Sequence, residues 1–240
     1  MLFDDRHDAG ERLALELLAL EAQGRLDARH AVIVALPRGG VAVGFEIARQ
    51  LGVPLDVCVV RKVGVPAQPE VAVAAVAEGG ELVVNKDIQT VSRITDAQLA
   101  ELARAKQDEV TERVSAFRGG AAAMELSAKT VVLVDDGLAT GATAMAAIKV
   151  LRKRGVGKLV LAIPVCPIDL ADRFAREVDE LVVLQTPEFF QAVGQWYQDF
   201  DQVTDQEVTT YLQRAKDFLP AGQAGQNLPV ARNSGRSQTD

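Results

Sequence analysis

Residues 131–143 read VVLVDDGLATGAT, and no other stretch limits the fold so tightly. Val131 to Val134 are uninterruptedly apolar and mostly β-branched, the composition of a strand covered on both faces of a parallel sheet. Asp135 and Asp136 end the run and Gly137 turns the chain. Ala139-Thr140-Gly141-Ala142-Thr143 then leads into Ala144, Ala147, Ile148 and Leu151, which recur at helical spacing. The order is strand, acidic pair, small-residue loop, helix. Loops built from such small residues leave backbone N–H groups unobstructed at a helix N-terminus, where they surround a phosphate, and the Thr140 and Thr143 hydroxyls add donors. Adjacent carboxylates at a strand's carboxyl end accept hydrogen bonds from two vicinal hydroxyls. A ribose bearing a 5′-phosphate presents both needs a few ångströms apart. A nucleotide-hydrolysing P-loop fits worse, because Gly141-Ala142-Thr143 lacks the lysine of that motif and the next lysine is Lys149. The bland alternative is an ordinary turn with a solvated acid pair.

The rest of the chain alternates helices and strands. Leu13, Leu17 and Leu20 mark a helix over about residues 8–22, and residues 31–36 form a buried strand. A helix through Val43, Ile47 and Leu51 stops near Gly52 and Pro54, and residues 55–60 make the next strand. Residues 61–80 carry several Gly and Pro, 82–84 is a short third strand, and 96–117 is a long charged helix with Asp96 as its cap. After the 131–151 unit come a strand at 158–163, a helix near 168–176 and a strand at 181–184. Strands separated by helices predict an α/β fold with an open, mainly parallel sheet, right-handed crossovers and helices on both faces. The expected division is one domain over 1–219, with its core at about 30–185 and a hood segment at 186–219. Residues 220–240, rich in Gly, Pro, Gln, Asn and Ser, read as a disordered tail.

Ligands of such sheets bind beyond the carboxyl ends of the strands, which selects the loops that matter. Leu36-Pro37-Arg38-Gly39-Gly40 follows the first strand; Gly39 and Gly40 permit close backbone approach and Arg38 supplies a forked cation for phosphate oxygens. Arg61 and Lys62 end the second strand and are expected on the same rim as Arg38, where they would neutralise a diphosphate. The long connection after them, residues 63–80, reads as a lid that brings Glu70 or Glu78 to the site, although Glu78 is read more readily as surface charge. Seven aromatics crowd residues 189–218, and Phe189 and Phe190, nearest the last strand, are the candidates for a wall against a flat base.

Composition supports a globular enzyme. The 48% hydrophobic and 25% charged content excludes wholesale disorder, and no apolar run approaches the roughly 20 residues that span a bilayer. A net charge of −7 argues against a nucleic-acid surface. MLFDDRHDAGERL lacks the basic and apolar regions of a secretory signal, so the cytoplasm is the expected compartment. Cys58 and Cys166 have neither zinc nor disulfide spacing, and neither His7 nor His30 accompanies a nucleophile motif.

Through Asp135, Asp136, Thr140, Gly141 and Thr143 the chain resembles the type I phosphoribosyltransferases, which use 5-phosphoribosyl 1-diphosphate. LPRGG, VVRKVGVP and AVGQWYQDF extend the resemblance to a bacterial subgroup of uncertain acceptor. The resemblance implies that Asp135 and Asp136 hold the ribose hydroxyls, that residues 139–143 cradle the 5′-phosphate, and that residues 36–40 bind diphosphate with a cis peptide, placed at Arg38-Gly39. It implies transfer of the phosphoribosyl group to a nitrogenous base with release of diphosphate. Mg²⁺ is expected on diphosphate and ribose oxygens, with no direct protein ligand set. Arg38, Lys62, Asp135 and Asp136 are then the catalytic set. Pro37, Gly39, Gly40, Arg61, Gly137, Ala139, Thr140, Gly141, Ala142, Thr143, Phe189 and Phe190 line the substrate, and Glu70 is the candidate lid base. Purine-salvage enzymes for hypoxanthine and guanine place an aspartate where this chain has Ala139. Partners would be phosphoribosyl diphosphate and a small base, with a homodimer compatible. A non-catalytic sensor of phosphoribosyl diphosphate or nucleotides, and a phosphate-ester or diphosphate hydrolase, are the alternatives.

Overall fold

The computed structural model describes residues 2–66 and 68–218. Helix α1 (Arg6–Ala22) begins where the Asp5 carboxylate accepts the Asp8 N–H, and buries Leu13, Leu17 and Leu20. Strand β1 (Ala31–Ala35) is buried throughout. Helix α2 (Gly39–Leu51) follows and ends on left-handed Gly52, and β2 (Leu55–Val57) completes the unit. Next come β3 (Val60–Val65), β4 (Gln68–Ala77), β5 (Leu82–Val84), α3 (Lys86–Val91) and the long α4 (Asp96–Arg118). The chain then returns through β6 (Thr130–Val134), α5 (Ala142–Lys153), β7 (Lys158–Val165), α6 (Ile168–Phe174) and β8 (Glu180–Gln185), and closes with α7 (Asp205–Arg214).

The main sheet is parallel throughout, in the order β2-β1-β6-β7-β8. Alternation along its strands divides the core. Ile33, Ala35, Val132, Val134, Val160 and Ala162 face the cluster built with α1 and α2, whereas Val32, Val34, Val131, Leu133, Leu159 and Leu161 face the cluster under α5. Both faces are covered, as the unbroken apolar runs predict.

Three expectations are corrected. Residues 61–80 are no irregular loop: β3 and β4 form an antiparallel pair that β5 extends into a separate three-stranded sheet, so β5 does not join the main sheet. Residues 73–77 hold only valine and alanine without strict alternation, and Gly64 and Pro69 interrupt β3 and β4, so no clear period marks these strands. The strand expected at 55–60 divides into β2 and the start of β3. The cap of α4 is Thr95 in a capping box with Gln98, one residue before the expected Asp96.

A buried ion cluster fastens α4 to the rest. Arg118, 6% exposed, donates to Asp56 Oδ1 at 2.7 Å and Oδ2 at 3.0 Å, and to Glu78. Asp56 also accepts from the backbone N–H groups of Val57 and Met124. Glu78 is therefore a structural ion rather than a member of a lid. The tail expected at 220–240 lies outside the described residues, and no described helix is long and apolar enough to cross a membrane.

Candidate active site

Strands β1 and β6 are neighbours in register, with Ala35 beside Val134, so the loops that follow them emerge side by side at the carboxyl edge. The Leu36 N–H donates to Val134 O at 2.8 Å and ties the two loops at their bases. Their contact demands glycine. A Cβ on Gly39 would lie 1.8 Å from Asp136 Oδ2, and one on Gly40 would lie 2.8 Å from Val134 O. The cis peptide in this loop is Pro37-Arg38, one bond before the expected place. Arg38 has αR dihedrals as the N-cap of α2, so the Arg38-Gly39 bond already belongs to the helix start.

Asp135 Oδ1 accepts the Asp136 N–H at 2.9 Å. Asp136 Oδ2 accepts Nε of Arg6 at 2.8 Å, a partner that the sequence reading missed. Arg6 also donates to the Asp201 carbonyl at 2.7 Å and lies over the Phe200 ring at 3.9 Å. The Tyr197 hydroxyl donates to the Asp136 carbonyl at 2.6 Å. Burial raises the Asp135 carboxyl well above the usual aspartate range, and the neighbouring Asp136 charge raises it further. Burial also raises Asp136, against the opposing pull of Arg6. Two adjacent carboxylates thus face one built-in cation, a pair poised to accept hydrogen bonds or bind positive charge.

The loop from Gly137 to Thr143 carries left-handed Gly141 (φ 66°) as the N-cap of α5. A Cβ there would lie 2.5 Å from the Phe174 ring, so α6 presses on the loop from behind. Ala139, Thr140 and Thr143 are exposed and Ala142 is half-buried.

Strand alternation separates the two cations expected on one rim. Arg61 reaches a polar cavity of about 120 Å³ that Pro37, Arg113 and Thr143 also line. Its Nε is buried without a hydrogen-bond partner, and Glu109 stands 3.8 Å away. Asp205, at the first turn of α7, lies 3.3 Å from Arg113 and 3.6 Å from Arg38, so one carboxylate draws both arginines toward the same region. Lys62 points instead toward α5, into a different cavity, and pairs loosely with Glu70 at 3.9 Å. Glu70 itself is 97% exposed on β4.

The aromatic expectation is also revised. Phe189 is 90% exposed, and Phe190 stacks on Trp196 with the rings 9° apart, in a small cluster with Phe3 and Val165. Tyr197 meets the acid pair directly at the Asp136 carbonyl, and Phe200 meets it through Arg6. Their separation in sequence from the acidic motif left no local signal. Arg6 and Arg113 were equally hidden, since each sits on a helix where arginine is ordinary. Burial pushes the Cys58 thiol up to about 12 and Cys166 up to about 11, so neither is a thiolate nucleophile near neutral pH. His7 is engaged by Glu46 at 2.8 Å and Tyr211 at 3.1 Å.

One edge of the parallel sheet thus carries an acid pair, a small-residue loop and a cationic cavity. The profile of the phosphoribosyl transferase domain matches residues 5–198, and the chain belongs to this family. A Mycobacterium tuberculosis protein, provisionally named a phosphoribosyl transferase in two strains, is 46% identical over 222 residues. That match covers 92% of this chain and 49% of the relative, so the chain spans about half the length of the curated relatives it matches. The crystal structure of TT1426 from Thermus thermophilus is similar at a TM-score of 0.79 and 41% identity, covering 89% of this chain and 99% of that one.

Proposed function

We propose that the chain transfers the phosphoribosyl group of 5-phosphoribosyl 1-diphosphate to a nitrogenous base and releases diphosphate. The observation that carries this reading is the direct contact between the two edge loops, in which Gly39 and Gly40 pack against Asp136, Asp135 and Val134. A ligand lying on one loop necessarily meets the other. Asp135 and Asp136 accept the ribose hydroxyls, and residues 139–143 receive the 5′-phosphate on backbone N–H groups. Arg38, Arg61 and Arg113 hold the leaving diphosphate, with the orphaned Nε of Arg61 as a ready donor. Lys62, on the other side of β3, takes no part in this arrangement.

The donor set suits Mg²⁺ in a limited way. Among the described residues no three His, Cys, Asp or Glu side chains converge, but two adjacent carboxylates with ligand phosphate oxygens are hard oxygen donors of the kind Mg²⁺ prefers. Bound there, the metal would neutralise diphosphate charge, and Asp135 and Asp136 are the residues to hold it directly or through water. The acid pair also favours positive charge that develops on the ribose ring as the bond to diphosphate lengthens. The transfer requires no covalent nucleophile, and Ala139 supplies no proton acceptor.

The test follows diphosphate and nucleotide together, with phosphoribosyl diphosphate, Mg²⁺ and a panel of bases. Base-dependent formation of both products supports the reading. Diphosphate release without a base marks a hydrolase, and saturable binding without turnover marks a sensor. Hypoxanthine and guanine are expected to be poor acceptors, because a missing general base costs about 100-fold or more. Efficient use of either by wild type and by Glu70→Gln overturns that part.

A further inference from the structure

A second cavity, of about 210 Å³, lies between the three-stranded sheet and α5, and shares no lining residue with the arginine cavity. Its floor is apolar: Ala75 of β4 packs in the same cluster as Met145 and Ala146 of α5, and Ala72 and Ala74 complete the strand side of the lining. Its rim is cationic, with Lys62 from β3, Lys149 from α5 and Arg173 from α6, and no acidic residue lines it. The chain as a whole carries −7, so an acid-free cavity with three cations is a local reversal of charge. Lys149 and Arg173 make no ion pair among the described residues, and the only pair Lys62 makes among them is to the exposed Glu70.

We propose that this cavity binds a nucleoside diphosphate. An apolar floor rewards a ligand body that leaves water, which a simple phosphate lacks. Alanines on the strand side leave room for a flat base against the Met145 side chain, whose thioether adapts to aromatic faces. The three cations come from three elements around the mouth, an arrangement that fits more than one phosphate group better than a single charge. Thr140, Gly141 and Ala142 close one side of the cavity. An occupant therefore touches the loop that the proposed function assigns to the 5′-phosphate, and sets its affinity from outside the acid pair. That second consequence rests on the proposed function; the binding site itself does not.

Calorimetry with the full chain decides it, using ADP and GDP as probes and adenosine and inorganic phosphate as controls, each with and without saturating phosphoribosyl diphosphate. The expected result is nucleotide binding that persists when phosphoribosyl diphosphate is saturating, weakens at least tenfold in the Lys149→Glu/Arg173→Glu double variant, and is unchanged in Asp135→Asn. Ala146→Phe fills the floor without altering charge and is expected to abolish binding. Thermal melts of both variants confirm folding. Simple displacement of ADP by phosphoribosyl diphosphate, with full affinity in both variants, overturns the proposal in favour of binding at the acid-pair site. Inorganic phosphate binding as tightly as ADP overturns the nucleotide class, and absence of any nucleotide binding overturns it altogether. Failure of phosphoribosyl diphosphate to bind the wild type would instead strike the proposed function and leave the nucleotide isotherms to decide this site.

Discussion

At Asp135 the stability of the fold and the proposed binding of ribose oppose each other. Its folded-state pKa is raised, chiefly by burial, so between the unfolded value of about 3.9 and the higher folded value the native chain holds more protons than the unfolded one. Stability therefore falls as pH rises through that window. Asp135→Asn keeps an acceptor for the Asp136 N–H and removes the charge. The variant is expected to gain stability relative to wild type as pH rises above the usual aspartate range, by thermal denaturation. Its affinity for phosphoribosyl diphosphate should fall by about 1–3 kcal/mol through the lost charged hydrogen bond. Equal affinity in both proteins removes Asp135 from the ribose. Arg6 acts in the opposite sense, favouring the charged form of Asp136. Arg6→Ala should move the acid limb of phosphoribosyl diphosphate binding to higher pH, and an unmoved limb would show that Asp136 does not titrate in binding.

Among the elements, those with a strong period were readable and those held by tertiary contact were not. The unbroken apolar run from Val131 to Val134 in β6 and the spacing of Leu13, Leu17 and Leu20 in α1 announced themselves locally. Strand β4 did not, because its alanines carry little β preference and its pairing with β3 and β5 supplies what its composition lacks. The site divides in the same way. Asp135, Asp136 and the loop to Thr143 are contiguous and thus legible, whereas Arg6, Arg113 and Asp205 arrive from three helices on which each looks like surface charge. The loop to Thr143 depends on such a distant contact at Gly141. Gly141→Ala would force a left-handed alanine against the Phe174 ring. The expected cost is roughly 2 kcal/mol in urea denaturation, with weakened binding of phosphoribosyl diphosphate, whereas the exposed neighbour change Ala139→Ser should leave stability within about 0.5 kcal/mol. Equal stability of both variants would show that the loop tolerates displacement.

Across the whole molecule, long-range ties hold the two sheets to one another. Arg118 joins the end of α4 to Asp56 on β2 and to Glu78 beyond β4. Arg118→Ala leaves two carboxylates largely buried without their cation, and is expected to destabilise by about 3–5 kcal/mol, read from denaturant midpoints. The wider span is at the site itself. The Phe3 N–H donates to Trp196 O, Gln198 N–H donates back to Phe3 O, and Arg6 then reaches Asp136 and Asp201. These contacts join the first turn of the chain to segments on the order of two hundred residues later, the slowest kind of closure to form. Competence is therefore expected to be the last event of folding. During synthesis the acid pair is made before the 196–201 segment that holds Arg6 in place. In a refolding time course, fluorescence and helix signals from the core should recover before phosphoribosyl diphosphate is bound, and the interval between them measures how long the molecule is folded yet unable to engage its ligand.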